Sequence, residues 1–301
     1  MLDLSVIVLT YNEELHIRRC LENINKFAKS VFVIDCFSTD RTKEISIELG
    51  AKVVEHQWPG NQAEQFNWAL DNLPITTKWV MRLDADEYVT PELIAEMDKK
   101  LPGMNDEVSA IVLPLGRAFM GKILRHGIVG GIKMIRLFRL GKARYERRLM
   151  DEHLVVSAGK IITFDNKFID DNRMSIKHFI DKHNVYSSRE AALLLDAEYH
   201  LIDYSDSSNT NFCEEVTQKR KQKSKYARMP LFWRSFGYFI YRYVVKLGFL
   251  DGKEGFLWDF LQGWWYRTLV DAKIFEIKQK CGNDKDKITQ YIKNEYGISL
   301  K

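Results

Sequence analysis

The sequence predicts an α/β fold: a mainly parallel sheet flanked by helices, followed by a C-terminal helical extension. Three observations carry this. Apolar β-branched runs alternate with segments of helical period over the first hundred residues. The runs are continuous rather than alternating, as strands buried on both faces require. Beyond a polar, Ser- and Asn-rich stretch the composition turns basic and aromatic. With 301 residues, 46% of them hydrophobic, the chain can build a full core as one large domain, or one domain plus an extension.

The elements follow in order. "LSVIVLTY" is the first buried strand. "NEELHIRRCLENINKF" is a helix with Leu15, Cys20, Leu21 and Ile24 at helical spacing. "SVFVID" is the second strand. "STDRTKEISIELG" is a helix with Ser38 or Thr39 near its cap and Gly50 at its end. "AKVVEH", "NQAEQFNWALDNL" and "KWVMRLD" read as strand, helix and strand. "YVTPELIAEMDKKL" is a helix with Thr90 as N-cap and Pro91 in its first position. From "SAIVLPLGRAFMG" to "KMIRLFRLGKARYE" shorter strands and Gly-rich turns take over. "EHLVVSAGKIITFDNKFID" predicts a hairpin and "NVYSSREAALLLDAEYHL" an amphipathic helix. The linker "DYSDSSNTNF" divides the chain into a domain over 1–210 and a basic, aromatic-rich helical extension over 211–301.

Net charge is a mild +4. Cys20, Cys36, Cys213 and Cys281 lie far apart without C-x-x-C spacing, which predicts reduced thiols and no zinc site. The N-terminus enters a strand pattern directly, so no signal peptide is expected. No apolar run approaches the roughly 20 residues that cross a bilayer. The best candidate, "FGYFIYRYVVKLGFL", is interrupted by Arg242 and Lys246. A cytoplasmic protein is expected, free or held on a membrane surface.

Candidate chemistry gathers at strand ends. Asp84 and Asp86, two apart after "WVMRL", are expected to point to one face of the strand, and their repulsion calls for a counter-charge such as a divalent cation. The first strand ends in Thr10, Tyr11, Asn12 and Glu13, and the second in Asp35, followed by Ser38, Thr39 and Asp40. Ligands of open α/β sheets bind beyond such carboxyl ends. Tyr11 offers a flat face to a base. Asp35 offers an acceptor to a base N–H or a ribose hydroxyl. The Asp84/Asp86 pair offers a metal ligand and a sugar contact. Bland readings stand beside these: Asp35 as a cap, Tyr11 as packing, Asp40 as a first-turn acid. No G-x-G-x-x-G and no P-loop is present, which fits a diphosphate neutralised by metal rather than by a glycine loop.

The blocks "SVIVLTYNEE", "VFVIDCFSTDRT" and "WVMRLDADE", with "WPGNQAEQFNWAL" between them, resemble the signature of family-2 inverting glycosyltransferases of the GT-A fold. "RLMDEHLV", "KHNVYSSREA" and "GFLDGKEGF" resemble a bacterial branch that builds cell-surface polysaccharide or lipopolysaccharide core. The resemblance covers most of the chain. One departure is Phe66 after Gln65, where members often carry a basic residue. The resemblance implies that Asp35 contacts the nucleotide, usually uridine, and Asp84 the ribose or sugar. It implies that Asp86 binds Mg²⁺ or Mn²⁺, and that Gln65 belongs to the donor site. The base of a single inverting displacement is expected in "MDEH", at Glu152 in preference to Asp151. His178 or His183 would supply a further metal ligand, or are packed or surface residues. Arg144, Arg147 and Arg148 would attract phosphate, or form a solvated turn.

The basic span runs from Lys219 through Arg234 and Arg242 to Lys246 without an acid before Asp251. Its cations and aromatics suit the inner face of an anionic membrane, where a lipid-linked acceptor would wait. The other use is packing on the catalytic domain or in a homo-oligomer. Single-stranded nucleic acid would not explain the upstream acids, so none is expected as a partner. The function predicted is transfer of a sugar from a nucleotide-sugar, UDP-linked, to a hydroxyl of a glycan or glycolipid. A nucleotidyltransferase and a non-catalytic membrane-surface protein are the alternatives.

Overall fold

The computed structural model describes residues 1–146, 153–201 and 226–300. Contacts divide the chain into two compact units, Met1–Arg173 and Met174–Lys301.

The first unit contains β1 (Leu2–Thr10), α1 (Glu14–Ile24), β2 (Ala28–Asp35), α2 (Thr42–Glu48), β3 (Lys52–Glu55), α3 (Gln62–Asn72), β4 (Trp79–Asp84), β5 (Glu87–Val89) and α4 (Pro91–Lys100). It continues with β6 (Val108–Phe119), β7 (Lys122–Leu124), β8 (Lys133–Arg139), β9 (Ala143–Tyr145), β10 (Leu154–Val156), β11 (Lys160–Thr163) and β12 (Phe168–Asp171). The described strands form one sheet in the order β3-β2-β1-β4-β8-β6-β12-β5, with β7 and β11 paired to β6 and β9 paired to β10 apart from it. β3, β2, β1 and β4 are parallel, and β8 runs antiparallel between β4 and β6. This is a mixed α/β sheet, mainly parallel in its first four strands.

The continuous apolar run of β1 serves two cores. Val6 and Val8 pack with Ile17, Leu21 and Ile24 of α1, while Ile7 packs with Phe66 and Ala69 of α3 on the opposite face. Helix α1 turns Ile17, Cys20, Leu21 and Ile24 inward, whereas Leu15, expected on that stripe, is exposed. Neither Ser38 nor Thr39 caps α2. Arg41 holds the N-cap position without a side-chain bond, and Asp40 before it accepts from the Thr42 amide at 2.9 Å. Thr90 caps α4 and Pro91 opens it, as expected.

The expected hairpin within 152–170 does not form. β10 pairs antiparallel with β9, while β11 and β12 run parallel to successive halves of β6. The reason is the length of β6, whose edge accommodates both strands end to end. The buried Glu96 carboxylate fixes the turn between them, accepting from the amides of Asp165 at 3.1 Å and Asn166 at 3.0 Å.

The second unit is helical in its described residues: α5 (Ile176–Tyr199), α6 (Trp233–Ile240), α7 (Gly252–Trp258), α8 (Tyr266–Cys281) and α9 (Lys285–Tyr296). π-helical turns continue α6 over Tyr241–Val245 and join α7 to α8 over Asp259–Trp265. Ala191, Ala192 and Leu195 of α5 share a core with Val270, Ile274 and Ile277 of α8 and with Ile288 and Ile292 of α9. The expected boundary at 210/211 falls outside the described residues. No described helix is long and apolar enough to cross a membrane.

The basic character of this region needs a correction. Arg234 donates from Nε to Asp271 at 2.8 Å, and Arg242 from Nε to Asp259 at 2.8 Å, with all four residues buried. These two arginines fasten helices together and are not available to a surface partner.

Candidate active site

The ends of β1, β2 and β4 lie side by side. Thr10 stands in register with Asp35, and Leu9 with Asp84. The crevice beyond them is therefore shared, as parallel topology requires.

Asp35 is completely buried. Its Oδ1 accepts from the hydroxyls of Thr10 at 2.8 Å and Ser38 at 2.6 Å, and its Oδ2 from the Ser38 amide at 2.7 Å. Ser38 Oγ in turn accepts from the Asn12 amide at 2.8 Å, and Asn12 Oδ1 from the Thr39 amide at 2.8 Å. The two loops are thus laced together. Each holds a residue in the left-handed region, Asn12 at φ 56° and the bulky Phe37 at φ 58°. Tyr11 stands exposed beside them rather than packed. Glu13 accepts from His16 Nδ1 at 2.7 Å, while His16 Nε2 accepts from the Arg173 amide at 2.9 Å. The Arg173 donor fixes the imidazole proton on Nδ1.

Gln65 is buried. Its Oε1 meets His56 Nδ1 at 2.7 Å and its Nε2 donates to Cys36 Sγ at 3.3 Å. It braces the ends of β2 and β3. Phe66 lies in the core against Phe138 and Tyr145. Burial and the neighbouring Asp35 push the Cys36 thiol up to about 11.

Asp84 ends β4 and Asp86 lies in the turn before β5, so strand alternation does not align the two carboxylates. The counter-charge expected of a cation comes to Asp84 from arginines. Arg82 Nη2 donates to Asp84 Oδ1 at 3.1 Å and Arg136 Nη2 to Asp84 Oδ2 at 3.2 Å. Burial raises the Asp84 pKa, but these two guanidinium groups more than reverse it and hold it well below the usual range. Beneath lies Glu87, whose Oε1 accepts from Arg136 Nη2 at 2.5 Å and whose Oε2 accepts from the Asp84 amide at 2.9 Å. Burial, then the charges of Asp84, Asp170 and Asp86, push Glu87 well above its ordinary value against the pull of Arg136.

Asp86 is placed by its backbone. Its carbonyl accepts from Arg19 Nη2 at 3.0 Å and the Asp171 amide at 2.9 Å, and its Oδ2 accepts from Asn172 Nδ2 at 2.8 Å. Arg19 also pairs with the Asp171 carboxylate. No cluster of three His, Cys, Asp or Glu arranged for a metal ion exists among the described residues. Asp86 still fits Mg²⁺ or Mn²⁺ in donor chemistry, since such ions are held by one or two carboxylates plus substrate phosphates. Asp84, with both oxygens on arginines, fits less well.

Arg19, Arg136, Glu87, Asp171 and Asn172 escaped the sequence reading. Arg136 carried a signal, as a cation inside the apolar strand "KMIRLFR". His183 is packed, stacked on Phe179 at 3.8 Å and bonded to Gln262 at 2.6 Å. His178 is exposed on the second unit. Arg144 is engaged by Asp71 at 2.7 and 2.6 Å. Asp151, Glu152, Arg147 and Arg148 lie outside the described residues.

Residues 5–147 match Glycosyl transferase family 2. The chain carries a family 2 glycosyltransferase domain. An uncharacterized glycosyltransferase of Rickettsia typhi is 25% identical to this glycosyltransferase over 292 residues, covering 94% of this chain and 90% of the relative. The lipopolysaccharide core biosynthesis glycosyltransferase LpsC of Rhizobium meliloti is 27% identical over 165 residues, or 53% of this chain and 59% of LpsC. Among solved structures, residues 1–349 of S. aureus TarS align with a TM-score of 0.41 and 16% identity, covering 100% of this chain and 93% of that one. The family domain supports the sugar-transfer reading over the nucleotidyltransferase and non-catalytic ones.

Proposed function

We propose that this glycosyltransferase moves a sugar, with inversion, from a UDP-sugar to a hydroxyl of a glycan or glycolipid in cell-envelope polysaccharide synthesis, at the inner membrane face. The observation that carries the reading is the shared edge of Thr10, Asp35 and Asp84, with Asp86 in the adjoining turn. Asp86 would hold Mg²⁺ or Mn²⁺, which when bound offsets charge on the departing nucleoside diphosphate. Tyr11 presents its ring to the base. Asp35, through Ser38 and Thr10, holds the loops that receive the nucleotide. Asp84, kept ionised by Arg82 and Arg136, accepts hydrogen bonds from hydroxyls of ribose or sugar. Glu152 removes the acceptor's proton as attack proceeds.

A hydrolysis screen across nucleotide-sugars, reading released nucleotide, identifies the donor without an acceptor. UDP should appear, and Asp86→Ala should abolish its release and the divalent-ion dependence of donor binding. Release of another nucleotide alone would overturn the UDP assignment. Glu152→Gln should keep donor binding and lose transfer by about 100-fold or more. Near-normal transfer by that variant, with Asp151→Asn inactive, would move the base to Asp151.

A further inference from the structure

Helix α6 is buried on one face and exposes an apolar stripe on the other. Its inner face, with Ser235 and Phe239, is buried and clamped by the Arg234–Asp271 and Arg242–Asp259 pairs. On the other face Trp233, Phe236, Ile240 and Val244 follow at spacings of three and four, and so line up along the helix and its π turn. All four are exposed, Trp233 to 75% and Val244 to 51%. Here one side is fastened rigidly and the other is left to water.

The stripe is part of a wider surface. Phe236 meets Trp264 at 5.2 Å, Trp264 stacks on Phe239 at 5.4 Å, and Phe239 stacks on Tyr243 at 5.5 Å. Tyr243 then reaches Phe249 at 6.2 Å and Phe256 at 5.6 Å, both substantially exposed. A ladder of rings, passing through the buried Phe239, therefore connects the exposed residues of three segments; exposed apolar groupings of this kind mark interaction sites.

Charge identifies the occupant. Arg228, Lys246 and Lys253 are exposed in the segments that flank the stripe in sequence, with one half-buried acid, Glu254, next to Lys253. No Asp or Glu occurs from 226 to 250, and Asp251 is buried. Lys219, Arg220, Lys221, Lys223 and Lys225 immediately precede it in sequence. A two-fold contact with a second copy would bring these cations against one another. An anionic lipid surface instead complements them, while Trp and Tyr rings favour the headgroup layer.

We infer that the Trp233–Phe236–Ile240–Val244 stripe, helped by the exposed Arg228, Lys246 and Lys253 of the flanking segments, is the face that docks on an anionic bilayer. This deepens, and rests on, the reading that transfer occurs at a membrane. The test is co-sedimentation of the full chain with vesicles of phosphatidylcholine alone, or with about three parts in ten of phosphatidylglycerol. The wild type should bind the anionic vesicles and leave them at high salt. Trp233→Ser with Ile240→Ser should cut binding by about tenfold while nucleotide-sugar hydrolysis, measured without vesicles, is unchanged. Lys246→Glu, which leaves the apolar stripe intact, should weaken binding several-fold even if the double variant folds poorly. Equal binding by the wild type and all variants would overturn the assignment. So would no binding by the wild type, or a dimer in solution that the double variant abolishes. Hydrolysis that persists in those cases leaves the catalytic reading standing, whereas loss of hydrolysis in the wild type would sink that reading by itself.

Discussion

Arg136 shows how much of the site rests on a single side chain. It is buried in β8 and donates both to Glu87 and to Asp84. Replacing it with Met leaves Glu87 buried without its counter-charge, which costs about 3–5 kcal/mol. The deficit should depend on pH. Glu87's folded pKa is already raised, and without Arg136 it rises further. A group with a raised folded pKa binds its proton more tightly in the folded state, so stability falls as pH climbs from the ordinary carboxylate range through the folded value. Urea unfolding of Arg136→Met should therefore show a larger loss at pH 8 than at pH 5. Equal losses would mean that Glu87 is not the group left exposed to charge. At this scale the sequence was legible in part. "RLDADE" announced a carboxylate cluster, but its counter-charge was assigned to a cation because Arg136 is 52 residues beyond Asp84. Only pairing of β4 with β8 brings it there.

Elements are set by local signals where those are covalently close and by packing where they are not. Thr90 and Pro91 mark the start of α4 as any such pair would. "GFLDGKEGF" carried no such local meaning, and the fold supplies one. A Cβ on Gly248 would stand 1.9 Å from Asp259 Oδ2, and one on Gly255 would stand 2.5 Å from the Gly248 carbonyl oxygen. The segments touch backbone to backbone there. Gly248→Ala should cost about 1–3 kcal/mol by overpacking, seen as a lower urea midpoint. Gly237→Ala, where nothing lies within 4 Å of the added carbon, should be neutral or gain about 0.5–1 kcal/mol from helix propensity. Similar losses at both sites would refute the close approach. The missing hairpin belongs to this scale too. Four-residue strands carry no mark of their partner, and β6 claims both because its edge is long enough.

For the whole molecule, the placement of α5 is decisive. Ala191, Ala192 and Leu195 have their apolar partners in α8 and α9. A chain ending at 173 should stay soluble and resist protease. One ending at 210 keeps α5 but removes its partners, and should lose that helix to limited proteolysis or aggregate. Resistance of α5 in the longer fragment would place the boundary at 210 instead. The basic extension has a similar lesson. Its charge is a property of the sequence, but which cations face outward depends on Asp259 and Asp271, 17 and 37 residues from their arginines.

By itself, the sequence determined the alternation of strands and helices, the mainly parallel character of the sheet and the carboxylates at strand ends. Those features follow from periodicity and from chain direction, which act over a few residues. Tertiary structure alone decided which charges neutralise Asp84, which strands share β6, and which face of α6 remains in water. Each of these is settled by groups distant in the chain, brought together only when the buried surfaces close.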